Sequence, residues 1–142
     1  MSYELEKSIG FKVNQTANKI NNKYIQLLQP FDIAPEQRAA LEIIKYEADV
    51  NQTKIANILG KDKTTISRTL KTLENKNLIT KSPIDKRTNL IQLTKKGEEV
   101  LNDSFTNVKE FRKKLTSRFS EDEFNNLITL LEKVALIVDE EL

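Results

Sequence analysis

Cysteine and histidine are both absent from this chain of 142 residues. Their absence excludes disulfides, thiolate nucleophiles, thiol redox sensing and Cys/His zinc sites. It also removes the commonest general base. Catalysis would fall to carboxylates, Lys, Tyr or Ser, and the few acidic residues of the basic segment described below sit where helix caps and turns belong. No enzyme, cofactor or metal site is expected. Glycine and proline are scarce, three of each, so long helices are permitted almost throughout. No run approaches the roughly 18 consecutive apolar residues of a membrane-spanning helix. Met1-Ser2-Tyr3-Glu4-Leu5-Glu6 lacks a basic stretch followed by an apolar run, so no signal peptide and a cytoplasmic location are expected.

Charged residues make up 31% and apolar ones 38%, a balance that folds rather than staying disordered. The net charge of +2 conceals a segregation. Residues 49–97 hold 11 Lys/Arg and 4 Asp/Glu, a net of +7, and the remainder holds 12 and 17, a net of −5. A cationic module inside an acidic frame is the footprint of a polyanion-binding protein.

Apolar residues at Leu5, Ile9, Val13, Ala17, Ile20, Tyr24 and Leu27/Leu28 predict one long amphipathic helix over residues 4–29, stopped by Pro30. Pro35 suits the first position of a second helix that buries Leu41, Ile44 and Ile43, although Ala34 stands where a capping Ser or Thr would serve better. Asn51 is placed to cap a short helix over Gln52–Leu59, and Gly60 to end it in a left-handed conformation. Asp62 then caps a helix running to Lys76, with Asn77 able to take a positive φ. Residues 78–82 and 89–93 read as two short strands joined through residues 83–88, a hairpin. Thr94 caps a long helix over 95–118, and Ser120-Glu121-Asp122-Glu123 opens the last helix as a capping box. That last helix, with Phe124, Leu127, Ile128, Leu130, Leu131, Val134, Ala135, Ile137 and Val138, is apolar on more than one stripe. It needs burial on most sides. A two-fold dimer through the first and last helices would supply it, the alternative being packing within one chain.

In the helix from Asp62, Ile66, Leu70 and Leu73 form the core side. The opposite face carries Thr64, Arg68, Lys71 and Asn75, with Ser67 at its edge. Its first turn, with Lys63, Thr64, Thr65, Ser67 and Arg68, is where a recognition helix meets base edges in the major groove. Arg68 could read a guanine bidentately, and Thr64, Thr65 and Ser67 could meet bases or phosphates. Lys63, Lys71 and Lys76 suit phosphates. Alone, this would equally describe a solvated helix face. The spacing of Ala56, Gly60 and Ile66 adds a helix-turn-helix signature, in which a small residue, a turn residue and a sealing apolar residue fall in order. Lys81, Lys86 and Arg87 project from the hairpin, with Asp85 able to brace Arg87. An Arg on a narrow tip suits the minor groove, and a plain solvent-facing turn is the alternative.

These residues resemble the MarR family of winged-helix regulators over nearly the whole chain. Asp85-Lys86-Arg87 followed by Leu93-Thr94-Lys95-Lys96-Gly97 is similar to the family's D-x-R wing tip and L-T-x-x-G. Asp62-Lys63-Thr64-Thr65-Ile66-Ser67-Arg68 is similar to its recognition-helix opening. Ala34 and Asn77 depart from the family's usual Thr and Gly at two helix ends. The resemblance implies a mainly α fold with a small β-hairpin wing: one domain over 1–142, with a winged helix-turn-helix DNA-binding region over 35–97 and dimerisation helices over 1–34 and 98–142. It implies a homodimer that binds pseudo-palindromic double-stranded DNA, with a repressor expected. It also implies that Arg87 enters the minor groove while Asp85 holds it. Many members release DNA when a small aromatic or lipophilic acid enters the cleft beside the dimer helices. Tyr24 and Phe31 are candidate wall residues for such a ligand, although aromatic residues at helical spacing more often belong to the core. The competing function is a non-enzymatic winged helix that docks an acidic protein partner.

Overall fold

The computed structural model describes residues 4–142. Met1–Tyr3, part of the stretch read above as lacking a leader, lie outside the described residues. Six α-helices and one hairpin follow in the order α1 (Ile9–Leu28), α2 (Pro35–Tyr46), α3 (Gln52–Leu59), α4 (Lys63–Asn75), β1 (Ile79–Pro83), β2 (Asn89–Leu93), α5 (Lys95–Thr116) and α6 (Glu121–Glu141). The chain divides into two compact units, the first ending at Thr106 and the second running Asn107–Leu142.

The helix expected over residues 4–29 is broken. Glu4–Lys7 form a 3-10 turn, and α1 starts only at Ile9. Ser8 is the reason: it adopts an extended conformation, and its hydroxyl accepts the N–H of Phe11 at 3.4 Å. A capping Ser offers the backbone an alternative to helix continuation. The other boundaries follow from residues already identified. Asn51 accepts from the N–H of Lys54, and Gly60 takes φ 65°. Asp62 caps α4, and Ser120 with Glu123 forms the reciprocal capping box of α6. At the end of α4, the N–H of Leu78 bonds the carbonyl of Leu73 (2.9 Å) and that of Asn77 bonds Glu74 (3.0 Å), while Asn77 takes φ 62°. This is a Schellman closure with Asn in the usual Gly position. Because Leu78 is used there, β1 starts one residue later than expected. At α2, Ala34 gives no side-chain cap, but the Gln37 side-chain carbonyl accepts the N–H of Ala34 at 3.1 Å. Half of a capping box survives.

Helix α2 is the hub of the first unit, touching α1, α3, α4 and β2. Its Leu41 and Ile44 are buried as expected, Ile43 is half-buried, and Ala40 joins the core with Ile55, Ala56, Ile66, Leu70 and Leu73. The hairpin pairs antiparallel from Ile79 with Leu93 to Pro83 with Asn89. Ile91 also donates to the carbonyl of Val50 (2.9 Å), tying the wing to the segment before α3. Gly97 explains the end of the wing motif. A Cβ there would run into the carbonyl of Leu78, which accepts from the N–H of Thr94 (3.0 Å). The Thr94 hydroxyl meanwhile donates to Asn77 O (2.6 Å) and accepts from Gly97 N–H (3.0 Å). Only a residue without a side chain lets α5 start this close to the end of α4.

In the second unit, every residue of α6 is exposed except Val134, which is half-buried. Leu127, Ile128, Leu130, Leu131, Ile137 and Val138 are uncovered. In the first unit, α1 likewise leaves Ile9, Val13 and Ile20 exposed.

Candidate nucleic-acid interface

Helix α4 divides by face as its periodicity requires. Ile66, Leu70 and Leu73 are fully buried, while Lys63, Thr64, Ser67, Arg68 and Lys71 are exposed. Its N-terminus is held from two sides. The Asp62 carboxylate accepts the N–H of Thr65 at 2.7 Å and the Thr65 hydroxyl at 3.1 Å. The Gln52 side-chain amide donates to the carbonyl of Lys63 at 3.0 Å, linking α3 to the first turn of α4. Thr65 is thus half-buried and its hydroxyl is engaged by Asp62, so of the residues expected to read bases it is the least available.

The hydrogen bonds from Thr65 hold the Asp62 carboxyl below the usual carboxylate range, with smaller help from the N–H of Thr64 and the charge of Arg68. A depressed folded pKa stabilises the fold above the unfolded value near 3.8, and that contribution disappears as pH falls through the folded value. Asp62→Ala should therefore lower the melting temperature at neutral pH and quicken amide exchange at Thr65. The difference from wild type should begin to shrink in a melting series as pH falls below 3.8 and close only once pH has passed through the lower folded value.

The cations sort by use. Lys54 donates to Ala48 O at 2.6 Å and Lys96 to Lys76 O at 3.2 Å. Lys81 is half-buried and lies 4.0 Å from Glu74. Lys76, expected to meet phosphates, instead donates to Asp32 O at 2.6 Å and lies 3.8 Å from the Asp32 carboxylate. It fastens the end of α4 to the α1–α2 connection. By contrast, Lys63, Arg68, Lys71, Lys86 and Arg87 form no ion pair among the described residues and all five are exposed. Within residues 52–93, the exposed cations without an ion pair therefore lie on the outer face of α4 and on the wing tip.

At the tip, Asp85 does hold Arg87, but through the main chain. One carboxylate oxygen accepts the N–H groups of Arg87 and Thr88, both at 2.8 Å. These bonds, led by that of Arg87, push the Asp85 carboxyl below its ordinary value. The carboxylate fixes the turn and leaves the guanidinium to other partners. Arg87 also lines a notch of about 100 Å³ with Lys81 and Asn89 from the hairpin and Gln52 and Thr53 from α3.

A wider cleft of about 860 Å³ opens between α1, the start of α2 and the end of α3. Asn14, Ile20 and Tyr24 form one wall, and Pro35, Glu36, Leu59 and Lys61 the other. Tyr24 lines this cleft and is half-buried. Phe31 is not among the residues that line this cleft; it sits in the 3-10 turn Gln29–Phe31 that follows α1.

A family model described as the MarR family matches residues 33–88, the segment from α2 to the wing tip. The regulator MgrA of Staphylococcus aureus is 28% identical over 141 residues, covering 97% of this chain and 95% of its own length. Among solved structures, a MarR/EmrR family transcriptional regulator from Acinetobacter sp. ADP1 superposes with a TM-score of 0.89 at 32% identity, covering 97% of this chain and 99% of that one. The S. aureus MepR–DNA complex superposes with a TM-score of 0.84 at 25% identity, covering 94% and 98%.

Proposed function

The chain belongs to the MarR family, and on that footing we propose that it is a homodimeric, sequence-specific regulator of transcription, a repressor that binds a pseudo-palindromic operator in double-stranded DNA. The observation that carries this reading is the set of five unpaired cations on the face of α4 and the wing. Residues 35–97 are the DNA-binding region. Thr64, Ser67 and Arg68 read bases in the major groove, and Lys63 and Lys71 meet phosphates. Arg87, with Lys86 beside it, enters the minor groove from a tip stiffened by Asp85.

Residues 1–34 and 98–142 form the dimer. The exposed apolar faces of α1 and α6 support this, since a monomer would leave them in water. The cleft lined by Tyr24 accepts a small aromatic or lipophilic ligand, which alters DNA affinity by binding one dimer geometry better than the other. The protein is a regulator rather than an enzyme, and its compartment is the cytoplasm, where operator DNA lies.

A mobility-shift titration of the intact protein tests the reading. Specific binding should weaken steeply with salt, and Lys71→Ala should weaken operator and scrambled duplex alike while shallowing the log–log salt slope by about one. Equal affinity of the intact protein for every duplex at physiological salt overturns it.

A further inference from the structure

Glu36 is the second residue of α2, on the cleft side of the first unit. One of its carboxylate oxygens accepts the hydroxyl of Thr69, in the second turn of α4, at 2.8 Å. The other lies 3.9 Å from Lys61 Nζ, in the turn between α3 and α4. A Thr hydroxyl inside a helix ordinarily bonds back to its own helix, and Thr69 has that option in Thr65 O at 3.2 Å. It has one hydrogen, and the shorter contact goes to Glu36. A single carboxylate on α2 thus touches both the recognition helix and the turn that leads into it.

This contact does something that the core of α4 does not. Ile66, Leu70 and Leu73 hold the helix against the body, but apolar contact is non-directional. A hydrogen bond has a preferred length and angle. Thr69 lies beside Arg68 in sequence, on the flank between the buried and outer faces, so the bond to Glu36 sets the roll of α4 about its own axis. A roll of roughly 20° moves a side chain at the helix surface by roughly 2 Å. That exceeds the tolerance of a bidentate hydrogen bond to a base.

We propose that Glu36 is a specificity-determining positioning residue, which fixes the roll of the recognition helix through Thr69 and so aims Arg68 at its base. This assignment rests on the operator-binding reading above. It predicts a loss of discrimination rather than a loss of phosphate affinity, because the phosphate-binding lysines tolerate a small roll.

The test compares Glu36→Ala, Glu36→Gln, Thr69→Val, Thr69→Ser and the double variant Glu36→Ala/Thr69→Val with wild type, each titrated with operator and scrambled duplex at one ionic strength. Glu36→Ala and Glu36→Gln remove the same charge, so any general electrostatic gain in DNA affinity is common to both. Gln keeps an acceptor for Thr69, and Ser keeps the donor. The operator-to-scrambled affinity ratio should fall about tenfold in Glu36→Ala and Thr69→Val, with the double variant no worse than either, as for two partners in one bond. It should stay near wild type in Glu36→Gln and Thr69→Ser. In the absence of DNA, amide exchange over residues 63–75 should quicken in the first two variants only. Unchanged ratios, additive losses in the double variant, or equal losses in Glu36→Ala and Glu36→Gln overturn the assignment while wild type still discriminates. A wild-type chain that binds both duplexes equally overturns the operator reading itself, and the specificity assignment with it; the amide-exchange comparison then reports whether the contact orders α4.

Discussion

Arg38→Ala should lower the unfolding free energy by about 3 kcal/mol, the low end of what breaking a buried ion pair costs. Arg38 is 1% exposed, the largest side chain in the core. Every arm of its guanidinium is used. Nε donates to the Ser104 hydroxyl (2.9 Å), one terminal nitrogen to the Glu42 carboxylate (2.8 Å), and the other to the carbonyl of Leu101 (3.4 Å). Three donors in a fixed fork matched to three acceptors is a task for Arg and not for Lys. The result is a polar bolt between α2, the hub of the DNA-reading region, and the first half of α5. Lys45 and Glu98 make a second link between the same helices at 2.9 Å, but both are exposed and contribute little. Truncation to Ala leaves a cavity and removes the ion pair with Glu42. Arg38→Met should cost distinctly less, because it refills the volume and the Glu42 side chain, 31% exposed, can hydrate. Urea unfolding at one fixed chain concentration measures both, a precaution needed because dimer stability depends on concentration. Equal losses in the two variants would show that the polar contacts of the guanidinium, and not its volume, set the cost at this site.

The second large effect concerns α6. Leu127→Glu with Leu131→Glu puts two carboxylates one turn apart on its uncovered apolar stripe. Sedimentation velocity should then find monomer where wild type sediments as dimer. Operator affinity should fall on the order of 100-fold or more, because two half-sites no longer bind as one unit. Lys133→Glu, a charge change of the same sign away from that stripe, should leave the dimer intact. A double variant that remains dimeric would remove α6 from the interface.

Features set by near neighbours in sequence were legible, and those set by distant partners were not. The caps at Asn51, Asp62 and Ser120 and the left-handed residues Gly60 and Asn77 each depend on side chains or backbone within a few positions. Periodicity placed Ile66, Leu70 and Leu73 inside and Thr64, Arg68 and Lys71 outside for the same local reason. Arg38 was missed because an Arg at a helix position reads as surface; its partner Ser104 lies 66 residues away. The bond of Thr69 to Glu36 spans 33 residues and Lys76 to Asp32 spans 44. No local pattern announces either, and Lys76 was accordingly assigned to phosphates. Asp85 is the instructive exception. It sits two residues from Arg87, so the sequence reading paired it with the guanidinium, whereas an Asp in a tight turn more readily bonds the N–H two residues on. The break at Ser8 was open to the same reasoning, since Ser offers a cap, but the unbroken apolar spacing on either side masked it.

Selection of bound sequences from a random duplex pool by the intact protein decides whether this chain is a dimeric operator-binding regulator. The enriched sequences should form a pseudo-palindrome whose half-site centres lie one helical turn, about 10 bp, apart. The same selection with Arg68→Ala should turn one position in each half-site degenerate. No enrichment, or enrichment of a lone half-site without its inverted copy, would contradict the account.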